Sequence, residues 1–175
     1  FDTETTSLDF NEAELVGFSI SYMGNHGFYC PLGHNSDAGK NIPFDKAIKM
    51  LKELFEHKEL TVVGQNFKYD MNVVKKYSIN FKTSIEDTML MSYVLNSGGK
   101  HDLGTLASKF LDHEAISYED VVGKGKDQIT FADVDIHKAV TYACEDSDLT
   151  LLLYGKLKSK LLKDKRLYNV YTSIE

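Results

Sequence analysis

The chain has 175 residues, 42% of them apolar, with 26 acidic against 20 basic side chains and a net charge of −6. That length predicts one domain with one sizeable core, and no apolar run approaches the ~20 residues of a membrane span. The first residues lack the basic-then-apolar order of a signal peptide. Cys30 and Cys144 lie far apart in no metal-ligand spacing, which argues against a disulfide framework or a zinc site and fits a reducing cytoplasm.

Phe1-Asp2-Thr3-Glu4-Thr5 reads as a β-strand. Side chains alternate along a strand, so Asp2 and Glu4 share a face. Two anions held together repel and raise at least one pKa, and a divalent cation between them is the simplest relief. A solvent-facing strand end, where acidic pairs are common, stays open for the pair taken alone. Residues 14–23 then alternate apolar with small or polar side chains, Gly24-Asn25-His26-Gly27 supplies a turn, and Phe28-Tyr29-Cys30 completes a three-strand meander. From Pro43 to His57 the apolar positions Phe44, Ala47, Ile48, Leu51, Leu54 and Phe55 predict an amphipathic helix with proline in its first turn. Leu60–Gly64 reads as a buried strand. It ends at Gln65-Asn66-Phe67-Lys68-Tyr69-Asp70, from which a helix runs to about residue 77.

Beyond Asp87 the chain is expected to be mostly helical, over about 88–95, 103–111 and 136–162. Strands first and helices interleaved, then dominant, imply an α/β layered fold. The glycine and lysine stretch Val121–Lys126 lacks the full phosphate-loop pattern and reads as a flexible connection.

Two further positions can carry chemistry. Asp70 sits where a strand hands over to a helix, a common place for ligand contacts in α/β proteins, although an ordinary helix-start aspartate reads the same way. In the last helix Tyr142 and Asp146 are four residues apart and share a face with Ala139 and Ala143, which predicts burial for both. Glu145 and Asp148 fall on other faces and are expected to be solvent acids. A negative net charge excludes a generic basic nucleic-acid surface. It leaves room for a nuclease whose carboxylates are balanced by bound metal.

Phe1–Thr5, Gly64–Asp70 and Tyr142–Asp146 together resemble the three exonuclease motifs of the proofreading domain of bacterial (family A) DNA polymerase I, within the tyrosine-type four-carboxylate superfamily. Asp87–Leu90, Tyr93–Asn96, His101–Leu103 and Gly123–Lys126 resemble the same domain, so the likeness covers nearly the whole chain. It implies an α/β, RNase H-like mixed β-sheet, with an antiparallel three-strand meander plus parallel strands, flanked by helices. It also implies an exonuclease domain over 1–165 whose first strand is truncated, and a connection over 166–175 toward a polymerase domain of the same polypeptide.

The resemblance assigns two divalent ions, Mg²⁺ or Mn²⁺. One is held by Asp2, Glu4 and Asp146, the other by Asp2 and Asp70, an arrangement that can clamp both oxygens of an in-line displacement. Tyr142 with Glu4 would orient the attacking water; Thr141 stands where the histidine-type subclass carries its histidine. Leu8, Gln65, Asn66, Lys100 and Tyr118 match the positions that grip a single-stranded DNA 3′ end. Lys100 replaces the more usual arginine and loses its planar fork, and Tyr118 replaces a phenylalanine. The expected setting is a monomeric, cytoplasmic, nucleoid-associated bacterial enzyme with no membrane contact. An inactive DNA-holding module and a free-standing RNA-trimming exonuclease are the competing readings.

Overall fold

The computed structural model describes residues 1–36 and 38–174. Strands β1 (Asp2–Thr5), β2 (Leu15–Met23) and β3 (His26–Pro31) form the antiparallel meander, while β4 (Thr61–Gly64) and β5 (Ser84–Asp87) pair in parallel. The Phe1 amino group donates to the Val63 carbonyl at 2.9 Å. That contact brings the start of β1 to β4, so the three-stranded sheet, ordered β1, β2, β3, and the parallel pair β4–β5 meet at the edge that β1 forms.

Helices α1 (Phe44–Phe55) and α2 (Lys68–Lys75) cover one side of the sheet. Their core joins Leu51, Phe55, Phe67 and Val73 to Phe1 and Phe18 from the strands. Helices α3 (Thr88–Leu95), α4 (Leu103–Leu111), α5 (Tyr118–Val122), α6 (Ile136–Leu161) and α7 (Lys165–Ile174) follow. The 26-residue α6 is capped by Asp135, which accepts from the His137 and Lys138 amides. It buries Ala139, Ala143, Asp146, Leu149, Leu153 and Leu157 at the three- and four-residue spacing of one helical stripe. The upper half of that stripe lies on β2 and β3, and the lower half packs with Met91, Leu106 and Tyr171.

Two elements differ from the sequence reading, and a third adds to it. Strand β5 was not expected, because four residues with charged side chains at two positions give too little alternation to read. It exists because its backbone pairs with β4, Thr61 opposite Ser84 through Gly64 opposite Asp87. Helix α5 takes the first part of the stretch read as a loop. Its start is a capping box, with Ser117 Oγ accepting from the Asp120 amide and Asp120 accepting from the Ser117 amide. The segment after residue 165 forms α7 and packs back, with the Tyr171 hydroxyl 2.7 Å from Glu86 Oε2 and 3.1 Å from the Asp87 amide. Glu175, the last residue of the expected connection, lies outside the described residues.

Asp87 ties two loops together. Its buried carboxylate accepts from the Asn66 and Phe67 amides at the end of β4 and from the Met89 and Leu90 amides at the start of α3. Gly27 governs a second junction, where α6 crosses β3: a Cβ there would lie 2.5 Å from the Cys144 carbonyl oxygen and 2.6 Å from the Cys144 Cβ. Neither neighbour is a flexible side-chain tip, so the helix itself has to shift. Gly27→Ala is therefore expected to cost about 1–3 kcal/mol, read as a lower urea midpoint at unchanged slope. An unaltered midpoint would contradict this close approach.

Candidate active site

β1, α2 and α6 each bring acidic side chains to one cleft of about 600 Å³. Asp2 and Glu4 on β1 line it, and Thr3 between them lines it too, on the side of Asp70. Carboxylate oxygens of Asp2, Glu4 and Asp146 come within 4.8 Å of one another. Asp70, in the first turn of α2, reaches the cleft from the neighbouring strand end. It is anchored by the Thr3 amide at 2.9 Å and the Thr3 hydroxyl at 2.5 Å, both donating to its Oδ1. Glu4 is 5% exposed, Asp70 2% and Asp146 8%.

Such a concentration of buried negative charge disfavours ionisation. Burial pushes Asp2 up to about 6. Burial is also the main reason that Glu4, Asp70 and Asp146 lie well above the usual carboxylate range, and the Asp2 charge adds to it in each case. The Tyr142 hydroxyl faces Asp146 and is raised by burial and then by that neighbour, so it stays a protonated donor. Glu4 Oε1 is buried with no hydrogen-bond partner. An orphaned carboxylate oxygen among three converging hard-oxygen donors fits a divalent cation such as Mg²⁺ or Mn²⁺. Among the described residues no other His, Cys, Asp or Glu cluster has this spacing.

Leu8, Gln65, Asn66 and Tyr118 line the same cleft. Leu8 is 87% exposed at its rim. Asn66 has a left-handed backbone, φ 55°, a conformation asparagine tolerates better than most residues. Gln65 is already engaged, its Nε2 donating to the His101 carbonyl at 2.7 Å and its Oε1 accepting from Thr88 at 2.5 Å. Tyr118 lies parallel to Phe131, ring centres 6.4 Å apart, and edge-on to Tyr142 at 6.3 Å. Lys100 is not brought into the cleft; it sits exposed in the segment before α4.

Other contributors escaped the sequence reading. Tyr69 lines the cleft and its hydroxyl lies 2.5 Å from both Ser7 O and Thr5 Oγ1, fixing the strand's exit; its position beside Asp70 was the available signal. Asp102 and Leu103 close the far wall. Glu145 and Asp148, expected in solvent, are both engaged. Glu145 accepts from the Ile116 amide at 2.7 Å and pairs with His113 Nε2 at 2.9 Å, and Asp148 accepts from the Asn25 amide at 2.8 Å. The reason is that α6 is flanked by the β2–β3 turn and by the loop before α5, so more than one of its faces is covered.

An acidic cleft beside a three-strand antiparallel sheet and a parallel pair, flanked by helices, has the architecture of an RNase H-like nuclease. The family model described as 3′–5′ exonuclease matches residues 1–162, and the chain belongs to that family. It is 43% identical over 194 residues to DNA polymerase I of Rhizobium leguminosarum, and 41% identical over 179 residues to that of Pseudomonas aeruginosa. Both matches take in the whole chain but only 19% and 20% of the relative, so the chain spans about a fifth of the curated relatives it matches. It is an exonuclease domain of the kind those polymerases carry. Among solved structures, Brucella melitensis NrnC shares its fold with a TM-score of 0.74 at 20% identity, covering 98% of this chain and 77% of that one. The same protein with bound Mg²⁺ gives a TM-score of 0.68, also at 20% identity and the same coverage. No helix among the described residues is long and apolar enough to cross a membrane.

Proposed function

We propose that this domain removes nucleotides from single-stranded or frayed DNA 3′ ends, proofreading for a polymerase domain of the same polypeptide in the cytoplasm of a bacterium, at its nucleoid. The observation that carries the reading is the convergence of Asp2, Glu4 and Asp146 around a buried, unpartnered Glu4 oxygen. Asp2, Glu4 and Asp146 would hold one divalent ion, and Asp2 with Asp70 a second. When bound, the ions supply positive charge to the attacking and departing oxygens of an in-line displacement. Mg²⁺ suits this hard-oxygen set, and it is the ion in the NrnC structure of shared fold.

The protein's own groups complete the chemistry. Tyr142, kept protonated by its surroundings, donates a hydrogen bond that orients the attacking water, with Glu4 accepting from the same water. Leu8 and Tyr118 offer an apolar edge and an aromatic face to unstacked bases, contacts that tolerate any sequence. Asn66 and the second Nε2 hydrogen of Gln65, the one not given to His101, hold the sugar-phosphate of the last residues, and Lys100 meets the strand outside the cleft as a point charge.

The test uses 3′-labelled single-stranded DNA and RNA with Mg²⁺, Mn²⁺ or chelator. The expected result is 5′-mononucleotides from DNA in either metal and none with chelator. Preference for RNA would favour the trimming enzyme, and no hydrolysis in either metal would leave an inactive holding module. In the same assay Tyr142→Phe is expected to lower kcat by about tenfold to a hundredfold while Mn²⁺ binding by calorimetry stays unchanged. An equal loss of metal affinity would contradict a role confined to water.

A further inference from the structure

The cleft has an annex of about 250 Å³, walled on one side by Ala115, Ile116 and Ser117 and on the other by Gly104, with Asp102, Leu103, Tyr118, Tyr142 and Asp146 shared with the main cleft. Residues 112–117 join α4 to α5, and they make no strand or helix of their own. Ser108 Oγ donates to Glu114 and the His113 amide to the Ala107 carbonyl, and from α6 one side chain reaches the segment at two points. Glu145 uses one carboxylate oxygen for the Ile116 amide and the other for His113 Nε2. Glu145 is half-buried and His113 more exposed, so the amide contact is the better shielded of the two, and hydrogen bonds to an ionised carboxylate are the stronger kind. Immediately after Ile116, the Ser117 capping box starts α5 and makes Tyr118 its first helical residue. The pinned amide thus lies two residues before Tyr118, whose ring stands against Phe131 and Tyr142.

We propose that Glu145 is a positioning residue. It clasps the 113–117 wall from the side away from the cleft, so that Tyr118 is presented to the 3′-terminal nucleotides, and its influence on turnover runs through Tyr118 and not through the bound metal. This rests on the exonuclease reading above. It gives Glu145, next in sequence to Asp146, a task separate from metal binding: one helix turn serves the reacting phosphate on one face and the substrate wall on another.

The test measures hydrolysis of single-stranded DNA in Mg²⁺ and, separately, binding of a fluorescent oligonucleotide with chelator present. Glu145→Ala is expected to raise KM and the oligonucleotide Kd by roughly tenfold, with kcat within about twofold of wild type. Glu145→Gln keeps an acceptor for the Ile116 amide and restores most of the affinity. In the double variant Glu145→Ala/Tyr118→Ala, KM should be no worse than in Tyr118→Ala alone, because coupled residues are non-additive. Additive effects, failure of Gln to rescue, or a fall in kcat at unchanged KM would each overturn the proposal. If Glu145→Ala does not fold, His113→Ala, which removes only one of the two contacts, should give a smaller KM rise; an unchanged KM there contradicts the clasp. A wild-type domain that binds the oligonucleotide without cutting it sinks the catalytic reading, while the binding arm still decides the role of Glu145. A wild-type domain that neither binds nor cuts overturns both.

Discussion

Asp146→Ala is expected to abolish metal-dependent hydrolysis, leaving less than about a thousandth of the wild-type rate. The side chain is buried on α6, its carboxylate within 4.8 Å of those of Asp2 and Glu4, with the Tyr142 hydroxyl directed at it. Removing it deletes one of three converging oxygen donors and the partner of the residue proposed to orient water. Asp2→Ala should be as severe, since Asp2 is the carboxylate common to both proposed ion positions. The checks are the initial rate of mononucleotide release and Mn²⁺ binding by calorimetry, and both should collapse together. Activity near wild type in either variant would refute the metal assignment.

Stability of the metal-free domain is expected to fall as pH rises from about 4 to about 6. Asp2 ionises near 3.8 when unfolded but is pushed up to about 6 in the fold, chiefly by burial. Between those values the folded chain binds more protons than the unfolded one, so stability falls with rising pH. The contribution is fully present below about 4 and lost as pH climbs through 6. Asp2 alone accounts for about 2–3 kcal/mol; Glu4, Asp70 and Asp146, raised by burial and by Asp2, extend the loss to higher pH. Exposed carboxylates such as Asp120 and Asp133 are held below the usual range by the hydroxyls of Ser117 and Thr130. Their contribution disappears only under about pH 4 and does not mask the window. Urea midpoints measured with chelator should drop across this range, and Mg²⁺ should flatten the drop. A midpoint that is flat or rising with chelator would contradict the buried-charge account.

Much of this site could be read from the residues because it rests on two simple periods. The two-residue period of β1 placed Asp2 and Glu4 together, and the four-residue spacing of α6 paired Tyr142 with Asp146. Asp70 stood out by its place at a strand-to-helix junction. What stayed hidden depends on partners distant in sequence. Ser84–Asp87 is a strand only because β4 lies beside it, and Tyr118–Val122 is too short for periodicity to mark. Glu145 and Asp148 look like solvent acids as long as one helical stripe is assumed buried. Their partners, Ile116 and Asn25, lie 29 and 123 residues away. Lys100 shows the converse: a motif position whose side chain the fold leaves outside the cleft.

The four amides gathered on Asp87 have a consequence for how a strand end is selected. They tie the Gln65–Asn66 wall to the start of α3, and α7 is joined to the same point through Tyr171. A wall anchored in this way has little slack with which to mould itself to a guest. On the proposed reading, the entropy of ordering then falls on the DNA. A frayed terminus is already unstacked and has only its remaining freedom to give up, whereas a paired terminus must first be melted, at a few kcal/mol. A mismatched end would thus be favoured over a correct one by the difference in melting cost, with no base identity read by the protein.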